Sequence, residues 1–301
     1  MREVMTNTSK LEHNGNSNVL LTGARGFIGS YFQKQYAHKY AIFPFSFVKD
    51  DIQTLHVKEV DTIIHLSALV HQMNGASDDA YEKINVEQTL QLARKAKENG
   101  VSHFIFMSTI KVYGEENDTA YTEVSPCHPQ DMYGKTKLEA EIELQKLASN
   151  DFIVSVIRTP IVYGYGVKAN MQSLMKLIDK IALLPFGGIC NKRSFVYIGN
   201  LCALIDAIIQ VKVGGVFLAG DDEALSTTDL IRRIAYAKHR KIFLVHLPLF
   251  SLFLKCVKPS FYQRLFGNLT INNQHTKEVL NFQNPYSTSE GIKLMVQGIK
   301  L

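Results

Sequence analysis

Asn18-Val-Leu-Leu-Thr-Gly-Ala-Arg-Gly-Phe-Ile-Gly29 is the stretch on which the reading of this chain turns. Its first half is a short apolar run, which reads as a buried strand. The run ends in Gly23, Gly26 and Gly29 at G-x-x-G-x-x-G spacing, and a helix is expected from about Ser30 to Tyr40. Strand, glycine turn and helix in that order make a dinucleotide-binding arrangement. The glycines allow the tight turn and let backbone N–H groups reach a pyrophosphate at the helix N-terminus. A plain glycine turn is the competing reading, and the flanking strand and helix favour the nucleotide site.

Outward from this elbow, a second strand is expected from Tyr40 to Phe47. NAD is usually held by an acidic side chain at the end of that strand. Ser46 and Phe47 stand there instead, followed by Lys49. Arg25 in the glycine loop either meets a 2′-phosphate or stays exposed, which tilts the reading towards NADP and keeps NAD open. In Asp50-Asp51-Ile52 a carboxylate either reads an adenine amine or caps a helix. Val60 to Leu69 reads as a further buried strand ending in small residues, Ser67 and Ala68, against which a flat cofactor can lie. His65 in that strand reads as a satisfied core histidine rather than a ligand. His71, Met73 and Asn74 follow at the strand's carboxyl end, as a ligand contact or as a polar surface loop.

A helix is expected from Ala80 to Asn99, containing Asn85. The apolar run from Phe104 opens into Ser108 and Thr109, whose hydroxyls either cap the strand end or align a substrate oxygen. Tyr133-Gly-Lys-Thr-Lys137 then places a phenol and an ammonium one helical turn apart, on one face. A free tyrosine has a pKa of about 10 and carries protons poorly at neutral pH. A neighbouring ammonium is expected to lower it and make a usable acid/base. Tyr-x-x-x-Lys alone occurs by chance in many helices, so its weight comes from its neighbours.

The 301 residues are 46% hydrophobic and 20% charged, enough for one large domain or a domain with a smaller cap. A net charge of +5 without a basic block argues against nucleic acid and suits an anionic ligand such as a nucleotide diphosphate. Cys127, Cys190, Cys202 and Cys256 show neither metal-ligand spacing nor pairing, so no metal is expected and a reduced, cytoplasmic setting is. Residues 1–17 lack the apolar core of a secretory signal and read as a disordered tail, in which Met5 is a second candidate start. Ile242 to Val257 is too short and interrupted to span a membrane. It is expected to be a buried cap element, with a membrane-surface contact as the alternative.

In the second half, Phe152 to Ile157 reads as a strand broken at the sheet edge by Arg158-Thr-Pro160. A helix follows Ile198 to about Gln210, and Val216 to Gly220 reads as another strand. Ser226-Thr-Thr-Asp229 opens a helix with a capping hydroxyl. Lys168, Asn170, Arg193 and Arg264 supply donors for two phosphates, or are solvated surface groups.

Taken together, these motifs resemble the extended short-chain dehydrogenase/reductases, and among them the nucleotide-sugar epimerase/dehydratase family. The resemblance rests on Thr22-Gly-Ala-Arg-Gly-Phe-Ile-Gly29, His65-Leu-Ser-Ala68, Asn85-Val-Glu-Gln-Thr89, Ser108-Thr109, Val112-Tyr-Gly114, Tyr133 to Lys137, Arg158 to Gly164 and Arg193-Ser-Phe-Val-Tyr-Ile. Val167 to Asn170, Asn191 to Ser194, Leu225 to Ile234 and Gln263-Arg-Leu265 are similar to the UDP-glucose 4-epimerase-like subgroup, which includes 4-ketoreductases making UDP-N-acetylquinovosamine. Met107 and Tyr165 depart from the usual pattern.

The resemblance implies an α/β fold: a Rossmann doubly wound parallel sheet (18–165 and 195–222) with an interleaved, smaller substrate domain (166–194 and 223–301). It implies Thr109, Tyr133 and Lys137 as the catalytic set. Gly23, Arg25, Gly26, Phe27, Ile28, Gly29, Asp51, Ile52, Leu66, Ser67, Ala68, Asn85, Ser108, Tyr133, Lys137 and Pro160 would line an NAD or NADP site. His71, Thr109, Lys168, Asn170, Arg193 and Arg264 would meet a UDP-sugar, and a homodimer is implied as well. The expected activity is oxidoreduction at carbon 4 of a UDP-hexosamine, leaning to reduction of a 4-keto-6-deoxy sugar for polysaccharide precursors. UDP-sugar 4-epimerisation is the alternative, and a non-catalytic dinucleotide sensor on the same fold is the reading from another class.

Overall fold

The computed structural model describes residues 17–70 and 76–298, so all of the expected tail but Ser17 lies outside the described residues, as does His71. The first half alternates strand and helix. β1 (Asn18–Thr22), α1 (Phe27–Tyr36), β2 (Ala41–Phe45) and β3 (Thr62–His65) lead to α2 (Asp78–Glu82). A π-helical turn over Lys83–Glu87 runs into α3 (Gln88–Glu98), then β4 (His103–Thr109), a 3-10 turn at Ile110–Val112, α4 (Met132–Leu147) and β5 (Ile153–Thr159). The second half holds β6 (Ile161–Tyr163), α5 (Ala169–Lys180), β7 (Leu183–Leu184), β8 (Phe195–Tyr197), α6 (Ile198–Val211) and β9 (Gly215–Leu218). It ends with α7 (Thr227–Ala237), β10 (Phe243–Leu244), α8 (Pro248–Val257), α9 (Pro259–Phe266), α10 (Gln274–Leu280) and α11 (Thr288–Gln297).

Six strands form a parallel sheet in the order β2-β1-β3-β4-β5-β9. Alternation along the strands divides the core in two. Val19, Leu21, Ile64, Ile105 and Ile157 share one cluster with Phe32 of α1 and Leu201 and Ile205 of α6. Leu20, Ile63, Phe104, Phe106 and Val156 share the other with Leu92 and Ala96 of α3 and Ala140 and Leu144 of α4. Helices therefore cover both faces, as a parallel sheet requires, and the fold is Rossmann-like. The strand order reverses between β1 and β3, so the crevice for a ligand opens at their carboxyl ends.

Three elements differ from the sequence reading. The first helix begins at Phe27, so Phe27 and Ile28 lie in its first turn. β5 continues through Arg158 and Thr159 and runs between β4 and β9, not at an edge, because a buried partner described below takes the Arg158 charge. The expected burial of Ile242 to Val257 does not hold. Among the described residues of α8 only Leu254 is buried, while Leu249, Leu252, Phe253 and Val257 are exposed large hydrophobics. Beyond the main sheet, β6 pairs with β8 and β7 with β10, while the Arg193 backbone bridges to Leu225 and Leu269.

Candidate active site

The glycine elbow follows β1. Gly23 has φ +67°, and a Cβ there would lie 2.9 Å from the Leu66 carbonyl carbon. A Cβ on Gly29 would lie 2.4 Å from the Gly23 carbonyl oxygen, so α1 is pressed onto the loop that feeds it. Gly26 is the N-cap of α1 with no capping side chain, and its N–H donates to Gly23 O at 2.8 Å. The first-turn N–H groups of a helix have no intrahelical partner, and together with the helix dipole they favour a phosphate. A cradle that any Cβ would fill, at an uncapped helix start in the crevice, fits a dinucleotide diphosphate. Arg25 is exposed on this loop.

The loop after β3 is fixed from both sides. Leu66 N–H and Ser67 N–H both donate to Thr22 Oγ1 at 3.1 Å. Leu69 N–H donates to Asn85 Oδ1 at 2.8 Å, and Asn85 Nδ2 donates to Leu69 O and to Thr136 Oγ1 at 3.1 Å each. Asn85, buried in the π-helical turn, thus ties the Leu69 backbone to α4. His65 meets Thr22 Oγ1 and Thr89 Oγ1 through its two ring nitrogens, each at 2.9 Å. Burial pushes its pKa down to about 3, so it is a neutral structural group.

α4 is held at its start by Asp131, whose carboxylate accepts from Gly134 N–H at 2.7 Å and pairs with Lys111. A Cβ on Gly134 would lie 2.9 Å from Lys111 O, so the first turn of α4 lies tight against the 3-10 turn after β4. This contact sets the start of α4, which carries Tyr133, against the turn that follows Thr109 at the end of β4. Thr109 also caps the 3-10 turn, accepting from Lys111 N–H at 3.3 Å. The neighbouring Ser108 is committed elsewhere, since its hydroxyl donates to Glu141.

Lys137 is buried one turn beyond Tyr133, its Nζ 3.8 Å from the centre of the Phe106 ring. Burial lowers its pKa to about 7, against an opposing pull from Glu141. The phenol of Tyr133 is raised above its ordinary value, by burial first and then by the charges of Asp131 and Tyr81. This corrects the expectation that Lys137 lowers Tyr133 in the protein alone. A lysine that has itself lost much of its charge to desolvation is a weak source of positive potential.

The sequence reading missed the pair below this site. Arg158 Nη2 donates to Glu141 Oε2 at 2.6 Å and Nε to the same oxygen at 3.1 Å, both side chains being buried. The guanidinium carbon lies 4.7 Å from the Tyr113 ring centre. Glu141 was within reach of sequence reasoning. Tyr133, Lys137 and Glu141 recur at a spacing of four, which places all three on one helix face.

Beyond β2, Asp51 accepts from Gln53 N–H at 2.9 Å, closing a local turn, and Ile52 O accepts from Lys95 Nζ at 2.7 Å. The sequence reading found no acid at the end of the second strand. In the fold, the turn after β2 brings Asp50 back, and its Oδ2 accepts from Ser46 N–H at 2.8 Å. Pro160 is buried just after β5.

Among the phosphate candidates, Arg193 is buried and its Nη1 donates to Gly267 O at 3.2 Å. Burial lowers its pKa, Glu115 and Glu116 oppose that, and Arg264 adds to it as a like charge. Arg193 and the exposed Arg264 of α9 therefore act on one region. Lys168 and Asn170 are exposed at the N-terminal end of α5, a separate element.

Residues 48–220 match the NAD dependent epimerase/dehydratase family. The chain is 34% identical to a UDP-glucose 4-epimerase of Vibrio cholerae, over 93% of this chain and 94% of that one. It is 28% identical to an N-acetyl-alpha-D-glucosaminyl-diphospho-ditrans,octacis-undecaprenol 4-epimerase of Escherichia coli O157:H7, over 77% and 76% of the two chains. A UDP-glucuronic acid 4-epimerase from Bacillus cereus, solved in complex with NAD, superposes with a TM-score of 0.73 over 92% of this chain and 96% of that chain. At 22% identity, that likeness speaks for the fold alone.

Proposed function

We propose that this chain, which belongs to the NAD dependent epimerase/dehydratase family, interconverts UDP-sugars at carbon 4 by reversible oxidation. The observation that supports the reading is the tight packing of the first turn of α4, which carries Tyr133, on the 3-10 turn that Thr109 caps, with Lys137 buried one turn further along α4. The sequence reading leaned to a 4-keto-6-deoxy sugar reductase. The likeness to 4-epimerases supports the alternative, and Asp50, returned to Ser46 by the turn after β2, weakens one ground for that lean.

A bound nicotinamide would supply the hydride acceptor and donor for carbon 4 and a positive charge that favours the phenolate. Tyr133 accepts the proton of the sugar 4-hydroxyl and later gives it back. Thr109 orients that oxygen. Lys137 would hold the nicotinamide ribose, an interaction that would favour its charged form. Asn85, by fixing the Leu69 backbone, and Thr22, by fixing Leu66 and Ser67, would hold the loop on which the cofactor would lie. Arg193, already anchored on Gly267 O, and Arg264 supply charge for the UDP diphosphate. Asp50 supports NAD over the NADP towards which Arg25 pointed.

The test is chromatography of UDP-glucose and of UDP-GlcNAc after incubation with purified protein and no added cofactor. Appearance of the 4-epimer is the expected result. Sustained NADPH consumption with a 4-keto-6-deoxy UDP-sugar, without epimerisation of either substrate, would overturn it in favour of the reductase.

A further inference from the structure

We propose that the α8–α9 surface docks this protein onto an anionic lipid bilayer. α8 is apolar on two sides. Its inner side packs, with Leu254 buried and Phe250 edge-on to Phe186 at 6.0 Å between ring centres. Its outer side carries Leu249, Leu252, Phe253 and Val257 at 80%, 60%, 60% and 57% exposure, and Phe261 of the next helix, α9, is exposed as well. A helix on a protein surface ordinarily turns polar residues outward. Contiguous exposed apolar side chains of this size mark an interaction site.

Charge points to the occupant. No Asp or Glu occurs between Asp229 and Glu278, while Lys241, Lys255, Lys258 and Arg264 are exposed within that interval. Lys255 Nζ lies 5.8 Å from the centre of the Tyr262 ring, next to the apolar stripe. Long basic side chains beside exposed leucine and phenylalanine suit the boundary of a bilayer. There the apolar side enters the acyl region and the ammonium groups meet anionic headgroups. A second copy fits less well, because a two-fold contact would set these cations against themselves. Among the described residues no helix is long and apolar enough to cross a membrane, so the surface lies on the bilayer. α9 also ends at the carbonyls of Gln263 and Gly267 that Arg193 touches, so the dock is continuous with the candidate diphosphate site.

The test is co-sedimentation of the full chain with vesicles of phosphatidylcholine alone or mixed with phosphatidylglycerol. Three proteins are compared: wild type, Leu252→Ser with Phe253→Ser, and Lys255→Glu with Lys258→Glu. The expected result is binding to the mixed vesicles that weakens with salt. The apolar variant should lose at least about tenfold in partition. The charge variant should lose at least about 25-fold, at about fivefold for each cation removed from the surface. Unchanged thermal unfolding of both variants shows an intact fold without relying on the proposed reaction. The idea is overturned if the wild type ignores both vesicles, or if both variants partition like the wild type. Sedimentation velocity showing a dimer that the apolar variant abolishes would also overturn it, by assigning the patch to a second copy.

Discussion

Replacing Lys137 by Met should stabilise the cofactor-free protein while stopping turnover. Lys137 is buried, and its pKa falls from 10.5 to about 7. The folded state therefore binds this proton more weakly than the unfolded chain does. Stability contributed by this residue rises with pH between about 7 and 10.5 and is lowest below 7. Linkage gives a penalty of about 4 kcal/mol at pH 7, falling to about 2 kcal/mol at pH 9. Methionine fills a similar volume without a charge to desolvate. It forgoes the cation–π contact with Phe106, worth about 1–2 kcal/mol where desolvated. A net gain of about 2–3 kcal/mol at pH 7, shrinking to about 0–1 kcal/mol at pH 9, is expected. Urea unfolding of both proteins at the two pH values reads this directly. A Lys137→Met protein that is less stable than wild type, by the same amount at both pH values, would refute the argument.

Four further outcomes follow from the geometry. Tyr133→Phe should keep the wild-type unfolding midpoint and lower kcat by about 10²–10⁴, measured by chromatography of the UDP-sugar products. Glu141→Gln leaves Arg158 buried without its counter-charge and should lose about 3–5 kcal/mol in urea unfolding, whereas an exposed pair such as Lys146–Glu143 should change by less than about 1 kcal/mol when broken. Gly29→Ala forces a Cβ to 2.4 Å from Gly23 O, so cofactor titration by fluorescence should show at least about tenfold weaker binding, with the fold retained by circular dichroism. Arg193→Met should raise KM for the UDP-sugar by at least about tenfold, with a smaller change in kcat in steady-state assays.

The fold was legible because its signals are local. The continuous apolar runs of β1, β3 and β4 and the glycine spacing of the elbow need no tertiary partner to be read. Tyr133 and Lys137 were likewise visible through helical spacing. What escaped depends on chain segments distant in sequence or on how much water is excluded. Arg158 looked like a strand breaker until its partner Glu141, on the preceding helix, was in view. Asp50 lies beyond the end of β2 and returns only through the Ser46–Asp50 turn. The direction of the Tyr133 and Lys137 pKa changes is set by burial, which spacing does not report. α8 misled for the opposite reason, since an apolar composition reads the same whether the helix is buried or left uncovered.

The account rests on hydride leaving and returning to carbon 4 of one bound sugar while Tyr133 carries the proton. Its most direct test is the isotopic fate of UDP-glucose labelled with deuterium at carbon 4, incubated with wild-type protein in unlabelled water and analysed by mass spectrometry and NMR. The account predicts that the 4-epimer forms with deuterium still on carbon 4. An epimer whose carbon 4 carries hydrogen from the solvent would contradict it.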